Sequence, residues 1–210
     1  MKASRAAYFE LIAVPITAGA KFVIFDMMQK QFWFIISASA FWAGYLIYNF
    51  FTSSERITQW GFRKKGFWKS SRLLLPLAVI AIVLFITYGI DTGKAIVNWH
   101  IIPSLLTYPV WGIAQQFVIM ALVAGNLNDL EKYKIPRFLI IIISALLFSG
   151  VHFPNYQLMA GTFILALVYT TVYLKYRNLW VLGILHGWLG SIFYFFVLGK
   201  DAWLRFLTSY

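Results

Sequence analysis

The chain contains the stretch LLLPLAVIAIVLFITYGI at positions 73–90, without a single charged residue. An α-helix rises about 1.5 Å per residue, so a run of this length spans most of the roughly 30 Å hydrocarbon core of a bilayer. Further apolar runs lie at about 6–25, 32–51, 102–124, 138–152, 158–174 and 179–198. The sequence therefore predicts an all-α, polytopic membrane helix bundle with about seven transmembrane helices.

The composition predicts a single membrane domain over residues 1–210. Of its residues 61% are hydrophobic and only 12% are charged, and the mean hydropathy is +0.74. A soluble domain contains about 25% charged residues, and seven crossings leave little chain for a domain outside the membrane. The chain has no cysteine, which excludes disulfides, thiolate metal sites and cysteine nucleophiles.

The net charge of +11 comes from 18 Lys and Arg against 7 Asp and Glu. In a membrane protein such an excess usually marks cytoplasmic loops, not nucleic-acid binding. The largest group of cations lies in loop 53–72, and the distribution of cations between the loops predicts a cytoplasmic N-terminus. We expect an integral protein of the bacterial inner membrane. The loop interleaves cations with aromatic residues. Membrane lipids are the expected partner; the loop is either an interfacial segment on anionic lipid or a docking site for another protein.

The first apolar segment differs from the others because it contains Glu10, Pro15 and Lys21. A glutamate inside the apolar region is atypical of a cleaved signal peptide, so we expect the segment to remain as a tilted or interfacial helix.

Polar side chains at mid-span depth are candidates for function because burying them in hydrocarbon costs free energy. The candidates are Gln115 and Gln116 in the fourth segment, His152 near the end of the fifth, and His186 in the seventh. Phe148 lies four residues before His152 and therefore on the same helical face. Their depths agree well enough for a shared interior site.

Small residues should determine how these helices pack. Gly183, Gly187 and Gly190 form a stripe beside His186, and Gly150 lies next to His152. Small residues at such positions let a neighbouring backbone approach closely. We therefore expect His186 to face protein, and Gly150 to permit a close helix contact.

The spacing of these polar residues leaves two interpretations open. The imidazoles and amides could form interhelical hydrogen bonds, or they could form a catalytic or metal site. His152 and His186 would supply two ligands to a divalent metal, but a catalytic zinc normally takes a third protein ligand. Glu10 could provide it if the first helix packs against the site.

The chain contains QQ at 115–116, FSGVHFPN at 148–155 and HGWLG at 186–190. Over about residues 105–195 this order resembles the CPBP family, the CAAX-protease and bacteriocin-processing (Abi) intramembrane proteases. The family pattern is Glu-Glu-x-x-x-Arg, then Phe-x-x-x-His, then His-x-x-x-Asn or Asp, on helices around a cavity. The resemblance implies that Phe148, His152 and His186 occupy matching positions. In the family one glutamate is thought to activate a water that the histidines orient, with a metal in some accounts.

This sequence departs from the family pattern at the residues that carry out the family's chemistry. Gln115 and Gln116 replace the two glutamates, Met120 replaces the arginine, and Gly190 replaces the last Asn or Asp. Glutamine can hydrogen-bond a water, but it cannot act as a general base. The sequence favours a site that is retained in shape and altered in function.

Three functional hypotheses follow from the resemblance and its departures. The favoured one is a catalytically impaired or non-catalytic homologue that acts as a membrane-embedded binding or accessory subunit, with a membrane-protein partner or in a larger complex. The alternative is an active endopeptidase that cleaves membrane-proximal or prenylated peptides with His152 and His186 at its site. Transport is the weakest, since the sequence has no internal repeat and no chain of buried charges.

Overall fold

A computed structural model describes residues 5–130 and 133–204 of the chain. The part that it describes is helical and contains no strand, which confirms the predicted all-α class. The α-helices are α1 Arg5–Ala20, α2 Gln31–Thr52, α3 Ser54–Trp60, α4 Phe67–Asp91, α5 Ile101–Gln116, α6 Asn126–Asp129, α7 Arg137–Gly150, α8 Tyr156–Tyr176 and α9 Leu179–Ile192. The wider π-helical stretches Lys21–Met27, Phe117–Gly125 and Phe193–Val197 continue α1, α5 and α9. The predicted cytoplasmic N-terminus, residues 1–4, lies outside the described residues.

Six helical segments among the described residues are long and apolar enough to cross a membrane. They are Arg5–Ile24, Gln31–Thr52, Phe67–Asp91, Ile101–Asp129, Tyr156–Tyr176 and Leu179–Val197. The remaining predicted segment, 138–152, forms α7, which has 14 residues. At about 1.5 Å per residue, α7 is shorter than the hydrocarbon core. It ends at Gly150, so His152 lies in the turn after the helix.

The buried core lies around the π-helical stretch Phe117–Gly125, which packs against α1, α7, α8 and α9. Met120, Leu122, Ile140 and Leu182 are fully buried there. By contrast α1, α2 and α4 bury few of their apolar side chains and leave the rest partly or fully exposed. In a membrane protein this outer apolar surface faces lipid, and the inner helices hold the polar residues of interest.

Helices α5 and α9 cross with their backbones in contact. A Cβ atom added to Gly112 would lie 2.3 Å from the carbonyl oxygen of Gly183, and one added to Gly187 would lie 2.4 Å from the nitrogen of Pro109. The close contact expected from the glycine stripe therefore occurs at Gly183 and Gly187. It does not extend to Gly190, whose nearest neighbour would be 3.9 Å away.

The expectation for Gly150 is wrong. A Cβ at Gly150 would meet nothing within 4 Å, so no neighbouring backbone approaches this glycine. Gly150 is the last residue of α7 and is only partly buried, whereas Phe148 and Ser149 just before it are buried.

Gly112→Ala is expected to destabilise the protein by about 1–3 kcal/mol, because the methyl group would overlap the α9 backbone and force the helices apart. Gly44→Ala, in the middle of α2, is the matched control because its added methyl group meets nothing within 4 Å. Thermal unfolding in detergent measures both. Equal melting temperatures for the two variants would contradict the backbone contact.

One end of the bundle, called here the basic end, joins the loop 61–66 to the residues between α8 and α9. The Asn178 Nδ2 donates to the carbonyl oxygen of Arg63 at 2.6 Å, and the Arg63 Nε donates to that of Arg177 at 3.1 Å. Arg177 in turn forms an ion pair with Asp129. Burial lowers the pKa of Arg177, but the hydrogen bond and charge of Asp129 outweigh it, so the net shift is upward. These contacts hold α3, α4, α6, α8 and α9 together at this end.

At the opposite end, Asp201 ties the C-terminal residues to the segment before α5. Its carboxylate accepts hydrogen bonds from His100 Nδ1 at 2.6 Å and Asn98 Nδ2 at 2.8 Å. The backbone N–H of Leu204 also donates to it, at 3.0 Å. Burial raises the pKa of Asp201, but these hydrogen bonds together bring it below its ordinary value. This cluster lies apart from the candidate site.

Candidate functional site

The α5–α9 crossing places Gln115 against His186. Each lies three residues, about one helical turn, after a glycine of the crossing, Gly112 and Gly183 respectively. The Oε1 atom of Gln115 lies 2.8 Å from Nε2 of His186. A carbonyl oxygen can only accept, so Nε2 carries the hydrogen and Nδ1 of the neutral ring holds a lone pair. That Nδ1 is buried and has no partner in the described part of the chain.

Phe148 lies between the two histidines. Its ring centroid is 5.4 Å from that of His186 and 5.2 Å from that of His152. The Phe148 side chain is buried, so its ring fixes the spacing of the imidazoles from the α7 side. The structure thus brings together four of the five residues that the sequence singled out.

His152 lies in the turn between α7 and α8 and is half-buried. Its Nδ1 donates a hydrogen bond to the carbonyl oxygen of Phe148 at 2.6 Å. The neutral ring therefore has its lone pair on Nε2, and no described residue donates to that atom. His152 can accept a hydrogen bond, or a proton, from a molecule that enters the site.

Gln116 does not join the hydrogen bond between Gln115 and His186. It is fully buried, and neither its Oε1 nor its Nε2 has a partner among the described residues. One turn further on, Met120 is also fully buried, and its sulfur accepts a hydrogen bond from Thr170 Oγ1 at 3.5 Å. Because glutamine and methionine are uncharged, neither position carries a charge.

Glu10 lies elsewhere, at the basic end. Its buried carboxylate forms an ion pair with Arg56 and accepts hydrogen bonds from Tyr45 Oη and Asn126 Nδ2, each at 2.5 Å. These contacts occupy both oxygens, so Glu10 is committed to joining α1 to its neighbours. It is not a ligand beside the histidines.

The residues at the site do not fit a catalytic divalent metal. His152 and His186 supply two imidazoles, and no group of three or more His, Asp or Glu residues close enough to hold an ion occurs within residues 5–130 and 133–204. A catalytic zinc normally takes three protein ligands. We therefore derive no chemistry from a bound metal.

Lys21 is a neighbour of the site that the sequence did not reveal. Its Nζ donates to the carbonyl oxygen of Phe153 at 2.6 Å, next to His152, and forms an ion pair with Asp26 at 2.7 Å. In the sequence, Lys21 stands out as a charged residue in an apolar run. A charged side chain in such a run needs a partner. The partner itself lies 132 residues away, which no local pattern indicates.

Comparison with known families gives one match. Residues 96–192 match the family model of the type II CAAX prenyl endopeptidase Rce1-like proteins. The matched segment is similar to the CPBP family. No curated protein and no solved structure gives a significant match to the chain. The predicted family resemblance is thereby confirmed, and the matched segment includes Gln115, Gln116, Phe148, His152 and His186.

Compared with the family pattern that the sequence resembles, the matched segment has the histidines and the phenylalanine but none of the ionised residues. By the resemblance, Gln115 and Gln116 fall at the two glutamate positions, Met120 at the arginine position and Gly190 at the last polar position. An amide donates and accepts hydrogen bonds but does not take a proton from water. The arrangement can bind polar groups, and its imidazoles are its only bases.

Proposed function

We propose that this CPBP homologue is non-catalytic and acts as a membrane-embedded binding or accessory subunit, with the bacterial inner membrane as its location. The observation that carries the proposal is the 2.8 Å hydrogen bond from His186 Nε2 to Gln115 Oε1. A neutral amide occupies the position where the family pattern has a carboxylate, and it engages the histidine directly. The group expected to activate a water is therefore missing at this place.

The oppositely charged residues of the family pattern are lost as a pair. A single buried charge left without its partner costs several kcal/mol. Here both the glutamate and the arginine positions, Gln116 and Met120, are neutral and fully buried. Neither substitution leaves an unpaired ion. This is expected of a site that has adapted to being neutral, whereas damage at a single position would leave one charge without its partner.

A binding role is supported by polar atoms that lack protein partners. Gln116 Oε1 and Nε2 and His186 Nδ1 are buried without hydrogen bonds among the described residues. None of these residues donates a hydrogen bond to His152 Nε2 either. Buried polar groups are usually satisfied. A peptide segment entering from the membrane would reach the half-buried His152 first, and pairing with Gln116 and His186 would require the surrounding helices to open.

Endopeptidase activity is the second candidate, and it rests on His152. Its unprotonated Nε2 could take a proton from a water, since an imidazole acts as a base near neutral pH. Gln115 or Gln116 would then position the water or the scissile carbonyl. Membrane-proximal or prenylated peptides are the substrates that this reading implies.

The accessory role predicts that the protein is part of a larger particle at fixed stoichiometry. Native membranes would be extracted in a mild detergent, and the particle sized and its subunits quantified. We expect co-purification with a membrane-protein partner in a constant ratio across detergents. Migration as a free monomer or homodimer in every mild detergent would contradict the accessory role.

A further inference from the structure

An exposed group of basic and aromatic side chains surrounds the start of α4. This cationic surface consists of Lys64, Lys65, Trp68, Lys69 and Arg72, all of which are exposed. We propose that it binds the phosphate groups of anionic phospholipids. The inference concerns a surface at the basic end and is independent of whether the histidine site hydrolyses peptides.

These cations are available to a ligand. The side chains of the three lysines and Arg72 form no ion pair or hydrogen bond with the described residues. Nearby cations at the same end do have acidic partners, since Arg56 pairs with Glu10 and Arg177 with Asp129. The fold therefore neutralises some of its basic side chains and leaves this group without a counter-charge among the residues that the structure describes.

The loop that presents the lysines is held in place. Asn178 Nδ2 donates to the carbonyl oxygens of Arg63 at 2.6 Å and Lys65 at 3.3 Å. Gly66 has a φ of +85°, and a Cβ there would lie 2.5 Å from the carbonyl oxygen of Tyr176. The loop thus rests directly on the end of α8. A surface that is ordered before binding loses little conformational freedom when a ligand binds.

The depth of the surface matches that of phospholipid headgroups. Directly after Arg72, α4 continues into the uncharged stretch 73–90, which spans the hydrocarbon core. The cations therefore lie at the level where the membrane meets water. Trp68, 73% exposed, lies among them, and tryptophan is enriched at this interface. Basic residues there are attracted to anionic lipid.

Lipid phosphate is favoured over an acidic protein as the occupant. Any protein would have to displace headgroups that already surround this level of the bundle at high local concentration. The sequence left the two occupants open. Lipid phosphate is the expected occupant because the cations are exposed, have no partner among the described residues and lie at headgroup depth.

The test compares two triple variants that remove the same charge. In one, Lys64, Lys65 and Lys69 of the cationic surface become Gln; in the control, the exposed Lys30, Lys94 and Lys200 become Gln. Each full-length protein is titrated in neutral detergent with phosphatidylglycerol or phosphatidylcholine. Retained lipid is counted by native mass spectrometry, and the melting temperature is followed.

We expect the wild-type protein and the control to retain phosphatidylglycerol in preference to phosphatidylcholine and to melt at higher temperature when it is present. The surface variant should bind phosphatidylglycerol at least about tenfold more weakly, because each interfacial cation contributes severalfold to the attraction. An unchanged preference in the surface variant, or an equal loss in the control, would overturn the proposal. So would retention of an acidic protein with no preference between the two lipids.

Discussion

Glu10→Ala is expected to destabilise the protein by about 3–5 kcal/mol, because removing one member of a buried ion pair leaves the other without compensation. The Glu10 side chain is completely buried, and the Arg56 side chain is 23% exposed. Tyr45 and Asn126 would also lose their acceptor. Since these groups join α1 to the other helices, the variant should unfold at lower temperature and lose α1 first in hydrogen exchange.

Glu55→Ala is the matched control, because Glu55 is exposed in the first turn of α3. An exposed substitution of this kind usually changes stability by less than about 0.5 kcal/mol. Glu10→Gln should give an intermediate result, as the amide retains one acceptor oxygen but not the charge. Equal unfolding temperatures for the Glu10→Ala and Glu55→Ala proteins would show that the buried network does not support the fold.

Gln116→Glu is expected to have the second large effect. The new carboxylate would be fully buried with no described hydrogen-bond donor in reach of the present side chain, at a cost of about 3–5 kcal/mol. Adding Met120→Arg should recover part of the loss, because residues four apart on a helix are neighbours. The family pattern has the same pair of charges at these two positions.

A double-mutant cycle measures this coupling from the unfolding of the two single variants and the double variant. We expect a favourable interaction between Glu at 116 and Arg at 120 of at least about 1 kcal/mol. Gln59→Glu is the control for the chemical change itself, because Gln59 is exposed in α3. Strictly additive effects would contradict the paired loss of charge that supports the proposed function.

Much of the fold could be predicted because it depends on local pattern. Uncharged apolar runs identify the long helices, and glycines four apart predicted the close crossing at Gly183 and Gly187. The length of α7 was overestimated because the apolar run continues past Gly150, where the helix stops. Apolar character alone does not show where a helix ends.

The candidate site was only partly predictable. Buried polar residues drew attention to Gln115 and His186, and the structure places them in direct contact. The roles of Glu10 and Lys21 were not predictable, since Arg56 lies 46 residues from Glu10 and Phe153 lies 132 residues from Lys21. Contacts at such separations depend on how the helices assemble, and a single sequence contains no signal for them.

The central claim, that the neutral site binds without hydrolysing, is tested most directly by a cleavage assay. The full-length protein in lipid vesicles would be incubated with a farnesylated peptide that ends in a CAAX sequence, beside an active type II CAAX prenyl endopeptidase as positive control. We predict no product above that of protein-free vesicles, for the wild type and for His152→Ala alike. Turnover by the wild type that His152→Ala or His186→Ala abolishes would contradict the account.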